Sequence, residues 1–370
     1  MVGLSARGTY AFDSRYLAEV NIGYNGTEQF APSNRFGFFP AFSLGWVISN
    51  ESFMDNLRNN GIISNLKLRA SVGKVGNDGL GSTRFLYLDN IDLQYHTSHI
   101  PSLGNGGKIY ERMVGNKNIH WEVAWKQNYA VDLTLFDDLD LTFDYFIEDR
   151  SDILIERNTV PAISGLTSSQ LPRVNMGEIK NKGYEITLDY NTDITRDLNI
   201  NFGGNFSYAR NKVISADEAV LSSDYAYRYR ETGFSLGQNW GYIIDHTVDP
   251  EHGKDGSGFF NSKEDVINSG LTYETGGGIP QPGDFIYKDL NGDHIINEKD
   301  MAPIKYSSLV PRISYGFHIG ASYKGFDFSV MFQGVGQYSK YYSGRGIFEE
   351  EGSKYYLDIC DNRWNEERYA

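Results

Sequence analysis

The densest set of metal-capable side chains in the sequence is Asp289-Leu-Asn291-Gly-Asp293-His-Ile295-Ile-Asn297-Glu-Lys-Asp300. Its side-chain oxygens fall at positions 1, 3, 5, 9 and 12 of a calcium loop, and Ile295 offers a backbone carbonyl at position 7. A hard cation needs about six oxygens converging on one point, and this spacing wraps the chain to supply them. His294 stands where the EF-hand has glycine, and Asp300 has a shorter arm than the usual glutamate. A turn rich in Asx hydrogen bonds uses the same residue types. The spacing predicts a structural Ca2+ held by Asp289, Asn291, Asp293, Ile295, Asn297 and Asp300. A second chemistry is stacking on sugar rings, for which Trp121, Tyr225, Tyr227, Tyr229, Trp240 and Tyr242 supply flat apolar faces. Belt or core packing uses the same rings, and Trp125 lies within a strand pattern. Nothing points to catalysis. The seven histidines are dispersed, with His96 and His99 or His246 and His252 outside any zinc spacing. Ser164-Gly165 has no nucleophile elbow, and Glu349-Glu350-Glu351 reads as a solvated charge run. The protein is not expected to be an enzyme.

Strands must hold these candidates. From Arg35 to Asn50, Phe36, Phe38, Pro40, Phe42, Leu44, Trp46 and Ile48 share one parity, while Gly37, Phe39, Ala41, Ser43, Gly45, Val47 and Ser49 share the other. Such a run exceeds the roughly five or six residues usual in soluble sheets. It suits the roughly 9–11 tilted residues that cross a bilayer, with Phe36, Phe38 and Trp46 in the interfacial belts. The alternation recurs in residues 3–12, 16–24, 66–72, 119–136, 139–148, 184–190, 198–208, 313–323 and 326–332, with Phe146 the exception in its strand. These ten strands are joined alternately by short connections near 13, 50–65, 137, 194 and 324 and by long ones near 30, 97, 165 and 260. That parity is what an up-and-down transmembrane β-barrel requires. Residues 149–182 and 211–312 show no sustained pattern, and the latter are expected to form one long extracellular loop.

Composition narrows the classes. With 40 glycines and 53 aromatic residues (26 Tyr, 22 Phe, 5 Trp) against 10 prolines, the chain reads as all-β. No run approaches the length of a membrane helix, and a mean hydropathy of -0.44 is compatible with barrel strands that alternate lipid and lumen residues. A net charge of -14 argues against nucleic acid as a partner. Cys360 is the single cysteine, so no intrachain disulfide can form. Met1 runs straight into alternating sequence with no signal peptide, which for an exported protein implies a truncated chain.

Several segments in order carry a family likeness: Asn25-Gly26 with Phe30-Ala31-Pro32, Arg35-Phe-Gly-Phe-Phe-Pro40, Gly45-Trp46, Leu66-Lys-Leu-Arg69, and Gly76-Asn77-Asp78. Asn118 to Glu122, Asp144-Tyr145, Met176 to Glu185, and Tyr323-Lys-Gly-Phe-Asp-Phe328 with Gln333-Gly334 continue it. Through these the chain resembles the C-terminal half of SusC/RagA-type TonB-dependent outer-membrane transporters. The resemblance implies an antiparallel transmembrane barrel of about 22 strands, of which residues 1–370 supply about ten. It further implies a plug domain before Met1 that meets the TonB complex, and a SusD-like lipoprotein lid. Outer-membrane lipid surrounds such a barrel, and its cargo is an oligosaccharide or a peptide. Without the plug, residues 1–370 alone should not transport. The alternative is a secreted soluble β-sheet protein that binds or cleaves glycans, in which the apolar rows pack dry against a second sheet. A passive porin is a third reading.

Overall fold

The computed structural model describes residues 2–79, 81, 83–95, 108–157, 159–218, 230–274, 278–342 and 364. In chain order, β1 (Val2–Phe12), β2 (Tyr16–Gly26), β3 (Phe36–Val47) and β4 (Ile63–Asn77) precede a small hairpin of β5 (Asn90–Tyr95) and β6 (Lys108–Met113). Then come β7 (Glu122–Leu135), β8 (Leu139–Ile155), β9 (Val174–Thr195) and β10 (Leu198–Ser215). Six short strands follow: β11 (Gln238–Gly241), β12 (Val248–Asp249), β13 (Lys254–Asp255), β14 (Thr272–Tyr273), β15 (Ile295–Ile296) and β16 (Ala302–Ser307). The last pair is β17 (Ile313–Tyr323) and β18 (Phe326–Gly336). Helix α1 (Asp55–Asn59) lies between β3 and β4, and α2 (Lys263–Ser269) between β13 and β14. Among the described residues no helix is long and apolar enough to cross a membrane.

The chain forms two compact units: residues 1–219, 231–236 and 312–336, and residues 220–230, 237–311 and 337–370. The first is a 10-stranded antiparallel sheet in the order β1-β2-β3-β4-β7-β8-β9-β10-β17-β18. Each long strand pairs with its predecessor because period-2 sequence gives it one apolar face to align. Register joins Phe12, Tyr16, Trp46, Leu68, Val131, Phe143, Ile186, Phe206, Tyr315 and Gly334 into one transverse row, apolar from the first strand to the ninth. Among the described residues no second sheet covers this face: Leu44 is 66% exposed and Phe328 65%. That exposure removes the sandwich reading, which needed these rows dry.

The short turns have the geometry that tight hairpins require, with φ positive at both central residues in Asp13-Ser14, Phe136-Asp137 and Lys324-Gly325. Of residues 149–182, expected to be irregular, 149–155 and 174–182 instead extend the β8–β9 ladder, because β8 continues to Ile155 and β9 begins at Val174. The register slips between Arg150 and Leu154, and Asp152 has φ 58. This bulge shifts parity, and it erased the alternation in the sequence.

Within residues 211–312, β10 runs on to Ser215, and the described part of the second unit has a core of its own. Phe260, Val266, Leu271, Ile286 and Ile296 are buried there, with Tyr242, Tyr273 and Tyr287 packed against them. Helix α2 is set by a capping box between Ser262 and Asp265 and ends at Gly270, whose φ of 64 a glycine adopts without strain.

Candidate functional site

The face of the large sheet opposite the apolar rows gathers its charge. Arg69 on β4 donates from Nε and Nη2 to Asp132 on β7 at 2.7 and 2.8 Å, with Asp144 on β8 at 3.7 Å. Arg150 on β8 bridges Glu148 at 2.8 Å and Glu122 at 2.9 Å, and Lys126 lies 3.8 Å from Glu148. Arg7 reaches Glu19 at 2.6 Å. Part-exposed pairs of this kind contribute about 0–1 kcal/mol each. Their effect is to line one wall with fixed charge of both signs. Sequence alone does not single these residues out, because which charge meets which depends on register; the pairs join adjacent strands or residues two apart on one strand, except Arg69 and Asp144, which meet across β7.

Two polar–aromatic clusters bracket the wall. At the short turn between β3 and β4, Glu51 is 9% exposed. Its carboxylate accepts from Tyr16 Oη at 2.7 Å, Trp46 Nε1 at 3.0 Å and Arg15 Nη1 at 3.1 Å. The bonds from Tyr16, then Trp46 and Arg15, hold this carboxyl below its ordinary range. Beyond the opposite ends of these strands, Trp121 is 7% exposed in a cluster with Phe30, Leu86 and Ile119. Its indole donates to the Arg35 carbonyl at 3.0 Å, and its ring meets Phe30 and Phe39 edge-on at 5.6 and 5.1 Å. Trp121 therefore packs the connections between strands and has no open face for a sugar, which corrects the stacking role expected of it.

The other expected residues lie in the second unit or outside the described residues. Tyr225, Tyr227 and Tyr229 are outside them, as are His96, His99, Glu349-Glu350-Glu351 and Cys360. Trp240 is partly buried on β11. Tyr242 packs against the small core with its ring 5.2 Å from Tyr287. Sequence periodicity could not show this, because the unit's strands are too short to alternate.

The 289–300 segment forms a hydrogen-bonded loop. Asp289 accepts from the amides of Gly292 at 2.7 Å and His294 at 2.9 Å. Asp293 accepts from Ile295 at 2.9 Å, and the Asn291 amide donates to Asp293 at 2.9 Å. Asn297 accepts from the Lys299 amide at 2.9 Å. Asp300, 0% exposed, spends one oxygen on the amide of Leu290 at 2.8 Å and the other on that of Asn297 at 2.9 Å. It closes the loop as a structural acceptor. Asp289, Asn291 and Asp293 share a single turn, and among the described residues no three His, Cys, Asp or Glu side chains converge as a metal-ligand group. Nearby, Lys254 donates to the buried carboxylate of Asp245 at 2.8 Å. Burial raises the pKa of Asp245, but the bonds from Lys254 and Thr247 outweigh it and hold the carboxyl below its ordinary range.

Comparison with known proteins bears on the whole chain. The sequence profile described as TonB dependent receptor-like, beta-barrel matches residues 2–364. A TonB-dependent receptor of Formosa agariphila is 30% identical over 348 residues, which take in 89% of this chain and 32% of that protein. The TonB-dependent receptor SusC of Bacteroides thetaiotaomicron is 25% identical, over 89% of this chain and 30% of its own length. Among solved structures, the RagAB peptide transporter superposes with a TM-score of 0.71 at 19% identity, covering 99% of this chain and 37% of that one. The chain thus spans about a third of the length of the relatives it matches.

Proposed function

This chain belongs to the TonB-dependent receptor β-barrel family of the bacterial outer membrane, and from that premise we propose that it forms part of the wall of a TonB-driven importer. The observation that carries the reading is the sheet's two-sidedness. An uninterrupted apolar row lies exposed across the strands, while the other face holds the Arg69–Asp132–Asp144 and Arg150–Glu122–Glu148 networks. In a barrel the first meets lipid and the second meets the lumen. Opening a lumen for cargo requires a plug driven by TonB, and this reading places that plug outside residues 1–370. The matched relatives are named as receptors and not as enzymes.

The cargo is an oligosaccharide or a peptide, and the partner over the barrel is a SusD-like lipoprotein. The SusC/RagA resemblance of the sequence motifs implies either cargo, and the RagAB structure, a peptide transporter, favours the second. In this orientation the long connections, residues 211–312 among them, lie outside the cell. Deleting the full-length gene and growing the strain on defined oligosaccharides or on oligopeptides as sole source separates the cargoes. Growth unchanged on both, or full-length protein recovered in the periplasmic fraction, rejects importer function.

The same reading includes structural calcium at residues 289–300. Asp289, Asn291 and Asp293 are gathered on one turn, with the carbonyl of Ile295 and the side chain of Asn297 downstream. Calcium should slow proteolysis of the full-length protein between Gly253 and Lys305 relative to chelator, and the Asp289→Ala and Asp293→Ala variants should lose that difference. Equal cleavage in all conditions removes calcium and leaves the barrel reading intact.

A further inference from the structure

The exposed apolar face is not flat. Where β2, β3, β4 and β7 run side by side it sinks into a depression of about 690 Å3, within the roughly 300–1,000 Å3 of small-ligand pockets. Two alanines cause the dent. Tyr10, Ala18, Leu44, Ala70, Tyr129 and Tyr145 stand opposite one another in a single register row, so two methyl-sized side chains alternate with four large ones. Ala18 and Ala70 form the floor. Trp46 closes the end nearest the short turns, and Glu51 fixes its indole with a 3.0 Å hydrogen bond.

Lipid tails are as apolar as leucine, so hydrophobicity alone gives no preference for one place on a barrel wall. Preference comes from shape and from polar handles, and this site has both. A chain of methylenes lying over Ala18 and Ala70 recovers dispersion contacts that a flat wall denies it. The hydroxyls of Tyr10 and Tyr145 have no protein partner among the described residues, and amphipathic rings of this kind turn their polar ends towards the membrane surface. Tyr16 and Trp46 mark that surface, because both send their polar atoms to Glu51 in the turn.

We propose that this depression binds one acyl chain of a phospholipid in the periplasmic leaflet of the outer membrane. The inference rests on the barrel reading, which turns this face to lipid and the short turns to the periplasm. The ester region of the lipid lies level with the tyrosine hydroxyls, and its tail lies along the alanine floor.

The test uses the full-length protein, purified from outer membranes in detergent and stripped of bulk lipid, with phospholipid counted by native mass spectrometry. Wild type should retain one more phospholipid than Ala18→Phe or Ala70→Phe, which fill the floor with a residue suited to a lipid-facing surface. Ile319→Phe, on the same face of β17 away from the depression, should match wild type. In vesicles doped with tail-brominated phosphatidylethanolamine, the fluorescence that Trp46→Phe removes should be quenched to saturation at a small bromolipid fraction. The same lipid complement in all four proteins, or quenching strictly proportional to bromolipid content, overturns the proposal. The second readout needs no floor variant to fold. Neither result touches the barrel reading, which fails separately if the full-length protein fractionates away from the outer membrane.

Discussion

Asp300 shows how little of a buried carboxylate's role its spacing reveals. Asp300→Ala would take the acceptor from the amides of Leu290 and Asn297, both of them in part-buried hydrogen bonds, at about 1 kcal/mol each. The expected outcome is faster proteolysis of the full-length protein around residues 289–300, with the wall's resistance to unfolding in detergent unchanged. Loss of that resistance as well would mean that the loop's closure supports the sheet. Asp245 gives a pH dependence of definite sign. Its folded pKa lies below the ordinary 3.8, so its ion pair with Lys254 adds stability at pH values above 3.8 that is lost as pH falls through the depressed value. Hydrogen exchange at Val248–Asp255 should quicken below that pH in wild type, and Asp245→Asn should exchange quickly at neutral pH too. Exchange that is flat with pH would contradict this. The oxygen spacing of residues 289–300 was legible in the sequence, and so was the occurrence of a tight loop there. The partners of those oxygens were not, because backbone amides compete for the same lone pairs and carry no sequence signal.

Single strands were legible wherever both faces obeyed one parity, and the departures have causes in neighbouring strands. Phe146 breaks the alternation of β8 because it stands opposite Gly183 on β9, and a Cβ on Gly183 would lie 2.7 Å from the Phe146 ring. Phe39, among small residues on its own face, has the same explanation: its ring occupies the space beside Gly76. The two glycines differ in what would oppose a methyl group. At Gly76 the three nearest atoms all belong to the Phe39 ring, whereas at Gly183 the Tyr208 carbonyl and the Ala209 Cα of β10 are also in the way. Gly76→Ala combined with Phe39→Ala should therefore melt no lower than Phe39→Ala alone, in the heat-dependent gel shift of the full-length barrel. Gly183→Ala with Phe146→Ala should melt clearly lower than Phe146→Ala alone. Rescue in both cases, or in neither, would show that these rings do not fill the glycine gaps. The β8 half of the extension stayed hidden because a bulge reverses parity midway, and the β9 half because Glu178, Lys180 and Lys182 take the parity that is apolar from Tyr184 onward.

At the scale of the wall, the apolar row makes a depth-dependent prediction. Phe42 lies mid-strand in β3 and Phe36 at its end. An arginine at the middle of a lipid-facing strand costs about 2–4 kcal/mol, against about 0–1 near the interface. Folding of the full-length protein into vesicles should be weakened strongly by Phe42→Arg and little by Phe36→Arg, and equal penalties would mean that this face does not meet lipid. The ten strands and the parity of their connections were readable from the sequence because a bilayer imposes the same period on every strand. The second unit was not, since a small core built from scattered residues such as Phe260, Leu271 and Ile286 has no period.

Two joints in the wall pass over other strands, β4–β7 over the β5–β6 hairpin and β10–β17 over the longest connection. Strands β10 and β17 pair from Leu198 with Tyr323 to Tyr208 with Ile313, although residues 216–312 lie between them. Closing a longer loop is thermodynamically inexpensive, about 0.6 kcal/mol per doubling, but distant partners meet slowly. From β7 to β10 each strand pairs with the next in sequence, so those pairings need only one connection to close. The free edge of β10 has no neighbour in sequence to pair with before Ile313, and the buried Phe260 and Ile286 lie in the chain between. Protection of β10 amides in pulsed hydrogen exchange of the refolding full-length protein should therefore lag that of β8, equal rates would contradict this, and until β17 arrives the edge of β10 is where a chaperone would have most to protect.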